Sequence, residues 1–383
     1  MTVMSAPTGW GYTTAHASCS ACGWSYLLPS DALPGDGSRA LRCPHCFAVE
    51  LSFVPEPQGG LAEKLAYTSP PELVLPFSLS PERLSQAIAT FARGIPFAPP
   101  DLNPQALAGR MKRVYLPQWL VDASLRATWQ AEVGFNYEVV SHQDRYSDSA
   151  GGWRSQEVKE TRIRWEPRLG QLQRVFPNLT APALETHARL RGLVGDFDTS
   201  TAQPYQSQMA STSFVRLPDR SPEDAWPDVL PGLQAAAALP CQLACSADHQ
   251  RDFRWQPEVT GRNWTLLLRP LYTTYYLDDQ NQPQAVLING QTAQTSGSRR
   301  SSMKRAQRTA LIILSIAVVL FAISAILALA GIAVPPLLPL GGVGVLIAVL
   351  VALGAVIPLA LVWQYNRSQP RASQSLKQFA GSD

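Results

Sequence analysis

The apolar and polar positions of this chain change pattern several times, and the most extreme pattern lies at residues 310–363, where no Asp, Glu, Lys, Arg or His occurs. A single helix needs roughly 20 apolar residues to cross about 30 Å of hydrocarbon. The run is therefore long enough for two helices, and Pro335, Pro336, Pro339, Gly341 and Gly342 interrupt it near its middle. This predicts a two-helix transmembrane hairpin, with a first span over 310–334, a second over 342–363 and a tight uncharged turn between them. Backbone groups in lipid must pair within their own segment, which makes helix the expected form. Small residues recur at Ser324, Ala328 and Gly331 in one span and at Gly344, Ala348 and Ala352 in the other. They would let the two backbones approach closely. Neither span carries an ionisable group, so no ion or proton pathway is expected from these helices alone.

Ahead of the hairpin the periodicity alternates between helix and strand. Ser80 is a good N-cap for a helix opening at Pro81, with Leu84, Ala87, Ile88 and Phe91 at helical spacing. Period-two patterns follow at 124–140, 158–167 and 171–176, read as antiparallel strands with one wet face. Residues 181–238 read as mainly helical, interrupted by Pro204, Pro218 and Pro227; strand patterns return at 251–259, 263–279 and 283–290, with a turn at 278–283. The whole of 73–298 is thus expected to be an α+β domain, mostly antiparallel, joined to what precedes it by a Pro/Gly-punctuated linker at 55–72.

Charge orients the hairpin. A basic collar at 299–309 holds Arg299, Arg300, Lys304, Arg305 and Arg308, and the tail at 364–383 holds Arg367, Arg371 and Lys377. Positive flanks stay in the cytoplasm, so both ends of the hairpin are expected there, and the collar can also rest on anionic headgroups of the bilayer. Trp363 and Tyr365 fall where the second helix should leave the hydrocarbon. The first residues lack a basic n-region and an apolar h-region, so residues 1 to about 309 are expected to be cytoplasmic. The net charge of +3 is mild and argues for no particular partner.

In a reducing compartment the six cysteines call for a reading other than disulfides. Four of them form Cys19-Ser-Ala-Cys22 and Cys43-Pro-His-Cys46 with 20 residues between the pairs, the spacing of a structural zinc site. Four thiolates converge on one tetrahedral ion, each pair from a tight turn; Gly23 and Pro44 suit such turns. No position is left for water, so no metal catalysis is expected, and His16 and His45 are not needed as ligands. Residues 1–54 are read as a small β zinc ribbon to which the metal supplies folding free energy. Over residues 1–60 two cations, Arg39 and Arg42, face four acids, Asp31, Asp36, Glu50 and Glu56. Binding to a phosphate backbone depends on Lys and Arg, so nucleic acid is a poor partner for this ribbon. Trp10, Tyr12, Trp24, Tyr26, Phe47 and Phe53 are expected to be its core, and protein docking is its expected role.

The remaining chemistry is sparse. Cys241 and Cys245 stand at i and i+4, with His249 four further on, but no fourth ligand accompanies them and a buried idle pair is the expected reading. The pairs Asp196/Asp198 and Asp278/Asp279 lie in turn-like sequence and read as solvated rather than as acid/base pairs. Asn289-Gly290 reads as a turn whose glycine supplies backbone freedom. No Gly-rich phosphate loop and no nucleophile elbow occurs, so an enzyme is not expected; a site assembled from scattered residues of the α+β domain is the enzymatic alternative.

The order of these features resembles a family of bacterial membrane proteins with an N-terminal TFIIB-type zinc ribbon, often labelled primosomal protein N′ or PriA-like helicase. The likeness rests on the two cysteine pairs, on Leu75-Pro76-Phe77 and on the run from Tyr115 to Ala123. It continues in Leu268-Arg269-Pro270-Leu271-Tyr272 and in the run from Val286 to Thr292, so it spans nearly the whole chain. Three positions depart from it: Gln118 where an aromatic is usual, Arg269 in a usually apolar segment, and Ala293 where a glycine follows the Asn-Gly-Gln-Thr run. The ATP-hydrolysing motor motifs that the helicase label would need are absent. The resemblance implies instead an anchor or scaffold associated with flotillin-like (SPFH) and phage-shock proteins in envelope-stress assemblies. Membrane-associated nucleic-acid binding is the alternative.

Overall fold

The computed structural model describes residues 9–30, 41–54, 60–147, 152–330, 332 and 335–369. The middle of the ribbon, residues 55–59 of the linker, and Arg371 and Lys377 of the tail lie outside the described residues. In chain order the elements are β1 (Thr14–Ser18), β2 (Ser25–Pro29), β3 (Ser52–Val54), α1 (Leu61–Thr68), β4 (Leu73–Val74), α2 (Pro81–Arg93), α3 (Pro104–Gly109), β5 (Lys112–Ser147) and β6 (Gly152–Ala181). They continue with α4 (His187–Val194), β7 (Gln203–Pro204), α5 (Ser207–Ala210), β8 (Phe214–Arg216), α6 (Pro222–Leu243), β9 (His249–Leu277), β10 (Pro283–Asn289), β11 (Thr295–Gly297), α7 (Met303–Ala330), α8 (Leu337–Gly354) and α9 (Val356–Ser368). They form two compact units, one of Met1–Gln118, Leu184–Arg220 and Leu266–Asp383, the other of Trp119–Ala183 and Ser221–Thr265.

In the first unit the strands run in the order β11-β10-β9-β5-β8-β2-β1-β3, with β4 beside β9. Most pairs are antiparallel, from Pro283↔Leu277 to Asn289↔Leu271 between β10 and β9; β5 with β8 and β4 with β9 are parallel. The ribbon is not packed as a body of its own. Strand β2 pairs with β8 at Tyr26↔Arg216 and Leu27↔Val215, and the four cysteines share one core with Val114, Leu116, Leu184, Leu271 and Leu287. The expected aromatic core holds for Trp10, Trp24, Tyr26 and Phe47, whereas Phe53 is exposed. The linker is in part a helix: Glu63 of α1 is buried against His16 of β1, with Oε1 and Nε2 3.3 Å apart. Burial would raise the Glu63 carboxyl, but hydrogen bonds from His16 and Ser25 outweigh it and hold the group below the ordinary glutamate value.

In the second unit β5 and β6 form one long antiparallel ladder, from Trp119↔Ala181 to Ser147↔Gly152, so the three strand patterns read separately in the sequence belong to two continuous strands. Pro167 is tolerated inside β6 because, among the described residues, β6 pairs only with β5 and its other edge needs no N–H donor. Helix α6 begins with a capping box between Ser221 and Asp224. It buries Ala225, Val229, Leu233, Ala237 and Cys241, a stripe of period four, and residues of this stripe pack against alternate residues Ala123, Leu125, Ala127, Trp129, Ala131 and Val133 of β5. Pro227 was expected to interrupt the helix and does not. Pro227 and Pro231 lie on the exposed side, where carbonyls left without an N–H donor can bond to water.

The hairpin helices differ from the expected bounds. Helix α7 starts within the basic collar, at Met303 rather than at 310, because Ser302 caps it, its Oγ accepting from the Arg305 N–H at 3.1 Å; Asp279 supports this cap, with Ser302 Oγ donating to Oδ1 at 2.6 Å and the Lys304 N–H to Oδ2 at 2.9 Å. The second span is two helices with a break at Ala355. Pro358 cannot donate to the Gly354 carbonyl four residues back, which accounts for the break there.

Candidate metal centre and membrane hairpin

The four N-terminal cysteines are brought together. Their Sγ atoms all lie within 4.8 Å of one another, with Cys19 to Cys46 at 3.6 Å and Cys22 to Cys43 at 3.7 Å, and all four residues are buried. Four sulfurs each about 2.3 Å from one tetrahedral ion stand about 3.8 Å apart. These positions therefore fit a metal ion, whereas a disulfide would need about 2.05 Å. Thiols this close cannot all ionise unaided. Hydrogen bonds from Cys22, Cys43 and Cys46 draw Cys19 below the ordinary thiol value, while contacts with Cys19, Cys43 and Cys46 push Cys22 above it.

Two equivalent turns present the sulfurs. In the first, the Gly23 N–H donates to the Cys19 carbonyl and the Cys19 N–H to that of Trp24; in the second, the Phe47 N–H donates to Cys43 and the Cys43 N–H to Val49. The residue after each second cysteine is left-handed, Gly23 at φ +69° and Phe47 at φ +54°. Glycine adopts this conformation freely; phenylalanine does so at a cost, offset by burial against Tyr275 with ring centroids 4.7 Å apart. Sequence reasoning marked Gly23 and missed Phe47, which aligning the two Cys-x-x-Cys turns residue by residue would have found.

His16 is held by Glu63, and His45 stacks on Trp24 at 3.8 Å, away from any ligand role. Burial, with a contribution from the Arg216 guanidinium, brings His45 down to about 3. Arg216 lies over the Trp24 ring at 5.2 Å and donates to Asp219 and to the Ser25 carbonyl. The Tyr26 hydroxyl is 3.6 Å from the Cys43 sulfur. Four thiolates on a divalent ion would leave two negative charges, and the Arg216 cation and Tyr26 dipole would temper them.

The other candidates are structural. Cys241 and Cys245 are buried, their Sγ atoms donating to the carbonyls of Ala237 and Cys241, while His249 is exposed and bonds Asn136 at 2.9 Å. Asp196 pairs with Arg191, and Asp198 caps the 3-10 turn Thr199–Thr201. Asp278 closes its own turn and Asp279 supports the Ser302 cap of α7. Gly290 is needed for close approach rather than for backbone freedom, because a Cβ there would stand 2.8 Å from the Pro270 carbonyl oxygen; the left-handed residue of this turn is Ala293, at φ +65°. Arg269 is 4 % exposed, bonds His187 Nδ1 at 3.4 Å and lies over Phe197, and burial lowers it to about 10. Nothing local in the sequence explains a buried arginine there.

Helix α7 and the helical stretch Leu337–Ser368 are long and apolar enough to cross a membrane, with mean hydropathy 3.0 in each and only 17 % and 22 % of those windows buried. A core helix would be mostly buried, so these two present apolar side chains outward. Helices α7 and α8 pack on small residues, with Gly341 against Ala328 and Gly344 against Ser324. Within the first unit the foot of the hairpin is hydrogen-bonded to the residues around it. Asn366 bonds both backbone groups of Ser301, the Arg300 N–H donates to the Tyr276 hydroxyl at 2.8 Å, and Arg305 reaches the Ala98 carbonyl at 2.6 Å.

The chain matches no protein-family model, no curated protein and no solved structure.

Proposed function

We propose that this protein is a non-enzymatic, membrane-anchored scaffold. The bilayer covers the hairpin, a structural zinc ion sits in the four-cysteine cluster, and the ribbon recruits other proteins at the cytoplasmic face. The observation that carries this reading is the pair of outward-facing apolar helices whose feet are hydrogen-bonded to the unit that contains the metal centre. Such a join holds the ribbon at a fixed height above the membrane. Zinc fits the donor set because four thiolates in a closed tetrahedral site suit a borderline-soft ion without redox chemistry. The resemblance to membrane-bound zinc-ribbon proteins supplies the class of partner, flotillin-like or phage-shock proteins.

Ser20, Ala21 and Ala48 at the tips of the two cysteine turns are exposed, so they can be altered without touching the core. Crosslinking in membranes followed by purification should recover a flotillin-like or phage-shock protein with the native chain and lose it with Ser20→Glu/Ala21→Glu. Unchanged recovery with that variant would rule out docking through the ribbon.

A further inference from the structure

Between α2, β11 and the collar lies a cavity of about 320 Å³, lined by Arg83, Gln86, Thr90, Phe91, Thr295 and Arg299 among others. Its lining has two guanidinium groups, hydroxyl and amide donors, and no carboxylate. The Arg299 guanidinium lies over the Phe91 ring at 4.9 Å. Tyr365 packs on the cluster that contains Phe91, and it follows Trp363, the expected edge of the hydrocarbon, by two residues, or about 3 Å of helix. Arg299 therefore stands at the depth where lipid phosphates lie, with its charge turned into a cavity.

We propose that this cavity binds a phosphate-bearing anion, the headgroup of an acidic membrane lipid, between Arg83 and Arg299. Guanidinium groups match phosphate oxygens with paired N–H donors, and Thr90, Thr295 and Gln86 can complete the shell. The apolar Ala87 and Ala293 sides of the cavity suit the glycerol end of the lipid. This inference rests on the hairpin being inserted in a bilayer; it goes further in assigning one acidic lipid a defined seat.

The test uses the full chain in nanodiscs of phosphatidylcholine, with and without phosphatidylglycerol, read by native mass spectrometry. One phosphatidylglycerol should remain bound to the native protein and be lost, with affinity down roughly tenfold or more, in Arg83→Gln/Arg299→Gln. Arg308→Gln, outside the cavity, should keep it. Equal retention by the double variant, or no retention by the native chain, would overturn the lipid assignment. Inorganic phosphate titrated into phosphatidylcholine nanodiscs is the second arm: binding that depends on the two arginines, with no preference for phosphatidylglycerol, would assign the cavity to a soluble phosphate. Failure of the chain to enter nanodiscs at all would refute the membrane reading instead. The phosphate titration on the lipid-free protein would then decide the cavity separately.

Discussion

Adjacent glycines at the start of α8 separate packing from helix propensity. A Cβ added to Gly341 would stand 2.5 Å from the Ala328 nitrogen, 2.6 Å from its Cα and 2.7 Å from its Cβ, all on α7. Carbon atoms pack best at about 3.5–4.0 Å, so the helices would have to part by about 1 Å at this crossing. A Cβ on Gly342 would meet nothing within 4 Å. Replacing either glycine with alanine brings the same gain in helix propensity, up to about 1 kcal/mol. The difference between the two variants therefore isolates the overpacking, which is about 1–3 kcal/mol for an added methyl in a tight contact. Equilibrium unfolding in mixed detergent micelles at rising SDS fraction measures it. Gly342→Ala should be neutral or stabilising, and Gly341→Ala less stable than Gly342→Ala by about 1–3 kcal/mol. Equal midpoints for the two would refute the α7–α8 packing described here.

Three further outcomes follow from the geometry. Ser at both Cys241 and Cys245 should leave the metal content unchanged, whereas Ser at Cys43 should abolish it; elemental analysis of the purified chain reads both. Ala293→Gly should relieve a left-handed alanine worth about 1–2 kcal/mol, less the entropy that glycine adds to the unfolded chain, leaving a small net gain in denaturation midpoint. Asp101 accepts from Arg110 and from the Leu277 N–H, and the Arg110 guanidinium first among causes holds it below the ordinary aspartate value of 3.8. Its folded value is depressed, so its stabilisation is fully present above pH 3.8 and fades as pH falls through the folded value. The stability gap between native and Asp101→Asn proteins, about 1.5–3 kcal/mol at neutral pH, should close on that side; a gap that widens there would contradict the pairing.

What the sequence reveals depends on how local the signal is. The hairpin is legible because an uncharged run of this length has few other uses, and the cysteine cluster because its spacing dictates converging thiols. Features set by distant partners are not legible. Whether Pro227 ends a helix or rides on its wet side depends on which face β5 covers, and the i, i+4 spacing of Cys241 and Cys245 turns out to be the core stripe of α6. Ser302, the N-cap of α7, is a local signal, but the Asp279 carboxylate that holds it lies 23 positions earlier in the sequence. The ribbon looks too small to fold alone, yet its cysteine end is sealed by Val114, Leu271 and Leu287 from remote strands. The turn after Asn289 hides its demand as well: Ala293 sits at φ +65°, a conformation that nothing in the neighbouring sequence announces.

Alkaline carbonate washing of cell membranes tests the central claim most directly, because it strips peripheral proteins and leaves inserted helices in place. The full chain should stay in the pellet, and a chain ending at Arg299 should move to the supernatant. Recovery of the full chain in the supernatant would contradict the account.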